Sequence, residues 1–190
     1  MGNIYNNYIE VIGDEEVITR MFELVRSQER DWDKDPIPNV NKEEQREWLG
    51  LDFDFKKVIP IPEEFTKRSR RRAGRAGLAL WLMDNWGTRS NAYCASTYFI
   101  DPTEIEVVDG FKLSDYVNPA CAKITYDTSN SPATPVTAAL SKQFPELTFK
   151  HVYEGEGMEG WVYEVWKAGK LISSAYHKEG NYYGGSWVEE

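Results

Sequence analysis

The chain has 190 residues, with 22 Lys or Arg against 31 Asp or Glu, for a formal charge of −9. Apolar residues make up 41% and aromatics 14%. That is enough to build a core, and it excludes disordered, collagen-like, coiled-coil and disulfide-scaffold chains. The length suits one domain, or one domain with a large insertion, rather than two.

No apolar run approaches the roughly 18 residues of a spanning helix. The opening Met1-Gly2-Asn3-Ile4-Tyr5-Asn6-Asn7 has no basic stretch followed by an apolar one, as a secretory signal would. These features predict a cytoplasmic protein with no membrane partner. Cys94 and Cys121 are too few for a disulfide framework and are expected as reduced, buried thiols. The charge is uneven. Segment 67–75 holds six bases and no acid, so the rest of the chain carries −15. So acidic a body disfavours nonspecific DNA binding over most of its surface.

In chain order, Ile4 to Ile12 predicts a strand. Tyr5, Ile9 and Val11 lie on one face and Ile4, Tyr8 and Ile12 on the other, the pattern of a central strand covered on both sides. Asp14 is placed to cap a helix over 14–27, with Val17, Ile18, Met21, Phe22, Leu24 and Val25 on its apolar face and acids in its first turn. Residues 28–35 read as an acidic loop and Asn41 to Leu49 as a short helix. Leu51 to Ile61 alternates like an edge strand and meets Pro60 and Pro62. Lys67 to Trp86 reads as a helix stopped at Gly87. Strands follow over 91–100 and 120–128, joined by the long connection Asp101 to Pro119. A helix over 135–144 ends at Pro145, and strands over 147–154, 161–166 and 171–176 form a meander. Gly155-Glu156-Gly157-Met158-Glu159-Gly160 fits G-x-G-x-x-G, but a strand follows it and two acids sit in it, so it reads as a hairpin loop rather than a dinucleotide site.

The strongest elements run β-α-β-β-α-β. They predict a ferredoxin-like α+β domain with an antiparallel sheet, both helices on one face, and a C-terminal β-hairpin extending the sheet. The domain is expected over 1–180, with an inserted α/β subregion over 28–90 that could cover the open sheet face, and a loose tail over 181–190.

Three blocks resemble a family of uncharacterised plasmid- and phage-borne proteins with a YubB-type ferredoxin-like domain. They are Phe53 to Glu64 (FDFKKVIPIPEE), Trp81 to Ala92 (WLMDNWGTRSNA) and Pro135 to Phe149, the last followed by Gly155 to Gly160. The sequence departs from that pattern where Ser90 and Asn130-Ser131-Pro132 replace tryptophan-containing stretches, and where Ile4-Tyr5-Asn6-Asn7 stands for a Trp-Cys segment. The resemblance implies the fold and a mobile genetic element as the source, and supplies no activity.

Four constellations remain. Arg68, Arg71, Arg72 and Arg75 share one face if 67–75 is helical, as an anion or nucleic-acid contact or as a solvated surface. Tyr93, Tyr98, Phe99, Tyr126, Phe149, Tyr153, Trp161, Tyr163 and Trp166 are either a base-stacking platform or core and interface packing. Trp86, Thr88, Arg89 and Trp161 are candidates for a pocket or interface. His151 and His177 lack further ligands at metal spacing, and no metal, cofactor or catalytic residue is expected. The function expected is a non-enzymatic interaction module that binds a protein partner or nucleic acid, with homo-oligomerisation through an edge strand also open. The alternative is a small-ligand binder or enzyme with a cleft near Trp86 to Arg89 and Ser129 to Pro132.

Overall fold

The computed structural model describes residues 3–27, 52–68 and 72–178, with the backbone alone over 66–68 and 72–75. Strand β1 (Ile4–Gly13) leads into α1 (Glu15–Val25). The Asp14 carboxylate accepts from Glu16 N at 2.9 Å and Val17 N at 3.4 Å, which satisfies amides that the first turn leaves open. Val17, Ile18, Met21, Phe22 and Val25 then face the core. Next come α2 (Phe55–Val58), α3 (Glu63–Arg68) and α4 (Arg72–Trp86). Strands β2 (Tyr93–Ile100) and β3 (Ala120–Ser129) precede α5 (Thr134–Gln143). Strands β4 (Thr148–Gly155), β5 (Trp161–Lys167) and β6 (Lys170–His177) follow.

The six strands form one sheet in the order β2-β3-β1-β4-β5-β6, and every pair is antiparallel. β1 lies inside, with Ile9 opposite Ile124 on one side and His151 on the other. This is an α+β architecture. Because side chains alternate across a pleated sheet, Ile9, Val11, Ala122, Ile124, Tyr126 and Phe149 share one face. Val17, Ile18, Met21, Phe53, Phe55, Trp86, Val136 and Leu140 pack on them. The helices thus lie on that face. The opposite face buries Ile12, Cys121 and Val165 under Ile105 and Phe111 of the 101–119 connection.

The segment expected as an edge strand over 51–61 is instead the helical turn α2. Phe53 and Phe55 alternate in sequence, but the Asp54 side chain accepts from Lys56 N at 3.0 Å and bends the chain into a turn. Both rings then reach Tyr126, with centroids 5.0 and 5.6 Å away. The helix read from Lys67 to Trp86 is α4, preceded by the separate α3. Among the described residues the 28–90 insertion is helical and packs on the helix-bearing face. The opposite face is covered by 101–119. The loop over 28–35, the helix over 41–49 and the 181–190 tail lie outside the described residues.

Candidate functional site

The segments predicted to border a cleft meet. α4 ends at Trp86, whose buried indole donates to Ile59 O at 3.0 Å and packs edge-on against Phe55 and Trp81. Gly87 turns the chain with φ +76, and an added Cβ there would sit 2.8 Å from Pro135 Cδ and 2.9 Å from Pro132 O. Only glycine meets both demands. Thr88, fully buried, donates to Ser129 O at 2.9 Å. Ser131 Oγ donates to Gly87 O, Thr128 Oγ1 donates to Ser131 O at 2.7 Å, and Ser129 N donates to Ser90 Oγ at 3.2 Å. The polar atoms of this corner therefore satisfy one another. Arg89 is exposed beside it.

Trp161 is not part of that corner. It lies on the opposite face of the sheet with Tyr8 and Tyr163 around it, and His177 stacks on it at 4.1 Å and 6°. The nine aromatics are likewise divided. Phe99, Tyr126, Phe149, Tyr153 and Trp166 face the helices, whereas Tyr98, Trp161 and Tyr163 face away, as their register partners show, and Tyr93 stands before the register shift of β2. Of the four arginines, Arg71 lies outside the described residues. Arg68 ends α3, and Arg72 and Arg75 lie in the first turns of α4, their side chains outside the described residues.

Two polar clusters were not visible in the sequence. Under α5, His151 is fully buried, with Thr137 Oγ1 3.0 Å from Nδ1, and Asn7 Oδ1 and Tyr126 OH at 3.1 and 3.3 Å from Nε2. Asn7 Nδ2 donates to Thr128 Oγ1 and Tyr5 O, which leaves Oδ1 as the acceptor. Nε2 then carries the ring proton and Nδ1 accepts from Thr137. Burial holds the imidazole down to about 3, so it is neutral. Nearby, burial raises the Glu164 carboxyl, although Trp166 Nε1 at 2.9 Å and Tyr153 OH at 3.4 Å donate to it.

On the other face, register sets Glu10 between Lys123 and Lys150 at the centre of three adjacent strands. Lys150 Nζ is 2.7 Å from Glu10 Oε2, and Lys123 Nζ is 3.5 Å from Oε1. Lys150 also donates to Glu106 O at 2.9 Å and lies over the Phe111 ring at 5.4 Å. In sequence these are isolated charges among mostly apolar neighbours, and only the register shows that the three meet.

Among the described residues β2 and β6 are the edges of the sheet, and on β6 Leu171 and Ile172 are each 48% exposed and Tyr176 is 56% exposed. Among the described residues no group of three or more His, Cys, Asp or Glu could hold a metal ion, and no helix is long and apolar enough to cross a membrane.

Fold and site together define an α+β protein whose polar corner at Thr88 to Ser90 and Thr128 to Ser131 is hydrogen-bonded within itself and whose edge strand β6 carries exposed apolar side chains. The chain is similar to the crystal structure of a protein api92 from Yersinia pseudotuberculosis, family-model DUF1281, with a TM-score of 0.56. Identity is 9%, over 96% of this chain and 100% of that one, so the likeness concerns the fold alone. No family model and no curated protein matches the chain.

Proposed function

We propose that the chain is a ferredoxin-like domain of the YubB type over 1–180, a non-enzymatic interaction module of a mobile genetic element that binds a protein partner in the cytoplasm. The order β2-β3-β1-β4, with α1 following β1 and α5 following β3, supports the ferredoxin-like reading. The mobile-element source rests on the sequence resemblance alone. The observation that carries the binding reading is the exposure of Leu171, Ile172 and Tyr176 on the edge strand β6. An edge strand offers backbone donors and acceptors to an incoming strand, and its side chains supply selectivity. Lys170 and the register shift at Val165/Trp166 break the regularity of that edge at its start. The ligand-cleft alternative has less support, because the corner at Trp86 to Ser90 and Ser129 to Ser131 spends its polar atoms on itself.

The test is capture of partners by the tagged chain from its host, with and without nuclease, alongside the double variant Leu171→Lys, Tyr176→Lys. A protein retained after nuclease and lost with the variant is the expected result. Capture abolished by nuclease would replace this reading with nucleic-acid contact through 67–75, and capture indifferent to the variant would remove the β6 edge.

A further inference from the structure

We infer that residues 101–119 form a strap that lifts off the sheet as a unit while the strands beneath it stay paired. The strap leaves β2 after Ile100, crosses the face opposite the helices and returns at Ala120. It reaches as far as β6, where Ser173 Oγ donates to Asp109 O, and comes back with Tyr116 OH 2.6 Å from Thr148 Oγ1. Its two ends lie side by side, since Ile100 is the register partner of Cys121. Lifting it therefore breaks no strand pairing.

The strap has little structure of its own. It holds two single 3-10 turns, Pro102–Glu104 and Leu113–Asp115, and one isolated bridge between Val108 and Phe111. Only Ile105 and Phe111 are buried apolar anchors, with Val108, Leu113 and Tyr116 partly so. Beneath lies the row Lys123–Glu10–Lys150, which Glu106 joins through its carbonyl at 2.9 Å and its carboxylate at 3.6 Å from Lys150 Nζ. Charges held out of water carry a desolvation cost that is returned when water re-enters. Opening over an ionic row is thus cheaper than opening over an apolar surface of equal area. Elements with few apolar contacts open below the cost of global unfolding.

Cys121 reports the motion directly. Its side chain is buried under Ile105 and Phe111, on a strand paired on both sides. A thiol reagent can reach it through strap opening or through unfolding of the sheet. In a Cys94→Ser chain, labelling of Cys121 with a disulfide reagent is followed against urea below the unfolding transition. The strap predicts labelling roughly a hundredfold or more above the rate set by global unfolding, with little urea dependence. Glu106→Gln, which removes the carboxylate and keeps the carbonyl, should speed labelling several-fold and leave the urea midpoint in place. Labelling only at the global rate with its full urea dependence, or labelling unchanged by Glu106→Gln, would overturn the inference.

Discussion

Lowering the pH from 7.5 to 5 should destabilise the protein through His151 by about 2 kcal/mol. Burial holds this imidazole down to about 3 in the folded chain, against about 6.5 when unfolded. Between those values the unfolded state binds the extra proton, so stability is intact above about 6.5 and is lost as pH falls toward 3. At pH 5 the unfolded ring is almost fully protonated and the folded ring almost fully neutral, which at about 1.36 kcal/mol per unit gives the figure. The groups facing the ring are Asn7 from β1, Tyr126 from β3, Thr137 from α5, Tyr153 beside it on β4 and Glu164 opposite it on β5. Burial raises Glu164 and Asp127, which act in the opposite sense: they bind protons more readily when folded and offset part of the loss on acidification. The His151 share is therefore read as a difference. Urea denaturation of wild type and His151→Gln is run at both pH values. The loss on acidification should be about 2 kcal/mol larger in wild type. Equal losses in the two proteins would refute a neutral, buried imidazole.

Other perturbations have defined outcomes. Lys150→Met should cost about 3 kcal/mol in urea unfolding, because buried Glu10 loses the ammonium 2.7 Å from its Oε2. Replacing the row together, as Glu10→Leu, Lys123→Met and Lys150→Met, should return stability to wild type or above, since a packed apolar row has no desolvation cost. Trp86→Phe should cost about 1–3 kcal/mol, as Ile59 O loses its donor; a thermal or urea midpoint equal to wild type would show that bond to be idle.

Much of the sheet was legible because each strand carries a local signal. β1 alternates two apolar faces, α1 opens with Asp14 and acids, and Gly87 stops α4 where a left-handed φ is needed. The G-x-G-x-x-G stretch is the β4–β5 connection, as the strand after it required. What escaped depends on register or on competition between signals. Phe53 and Phe55 have a strand's spacing, and only the cap from Asp54 converts it into a turn. Glu10, Lys123 and Lys150 are far apart in sequence, and only the alignment of three strands brings them together. Trp86 and Trp161 looked like neighbours, but Trp161 follows the parity of β5 and faces away from the helices. The role of 101–119 as the cover of the second face had no periodic signal beyond the short apolar stretch Ile105 to Val108, because its anchors Ile105 and Phe111 lie outside the helices and strands.

The most direct measurement of the docking reading is hydrogen exchange on the wild-type chain, free and with its captured partner bound. Added protection confined to Lys170–His177, the edge strand β6, is the predicted result. A bound chain in which β6 exchanges as it does when free, with protection appearing elsewhere, would contradict it.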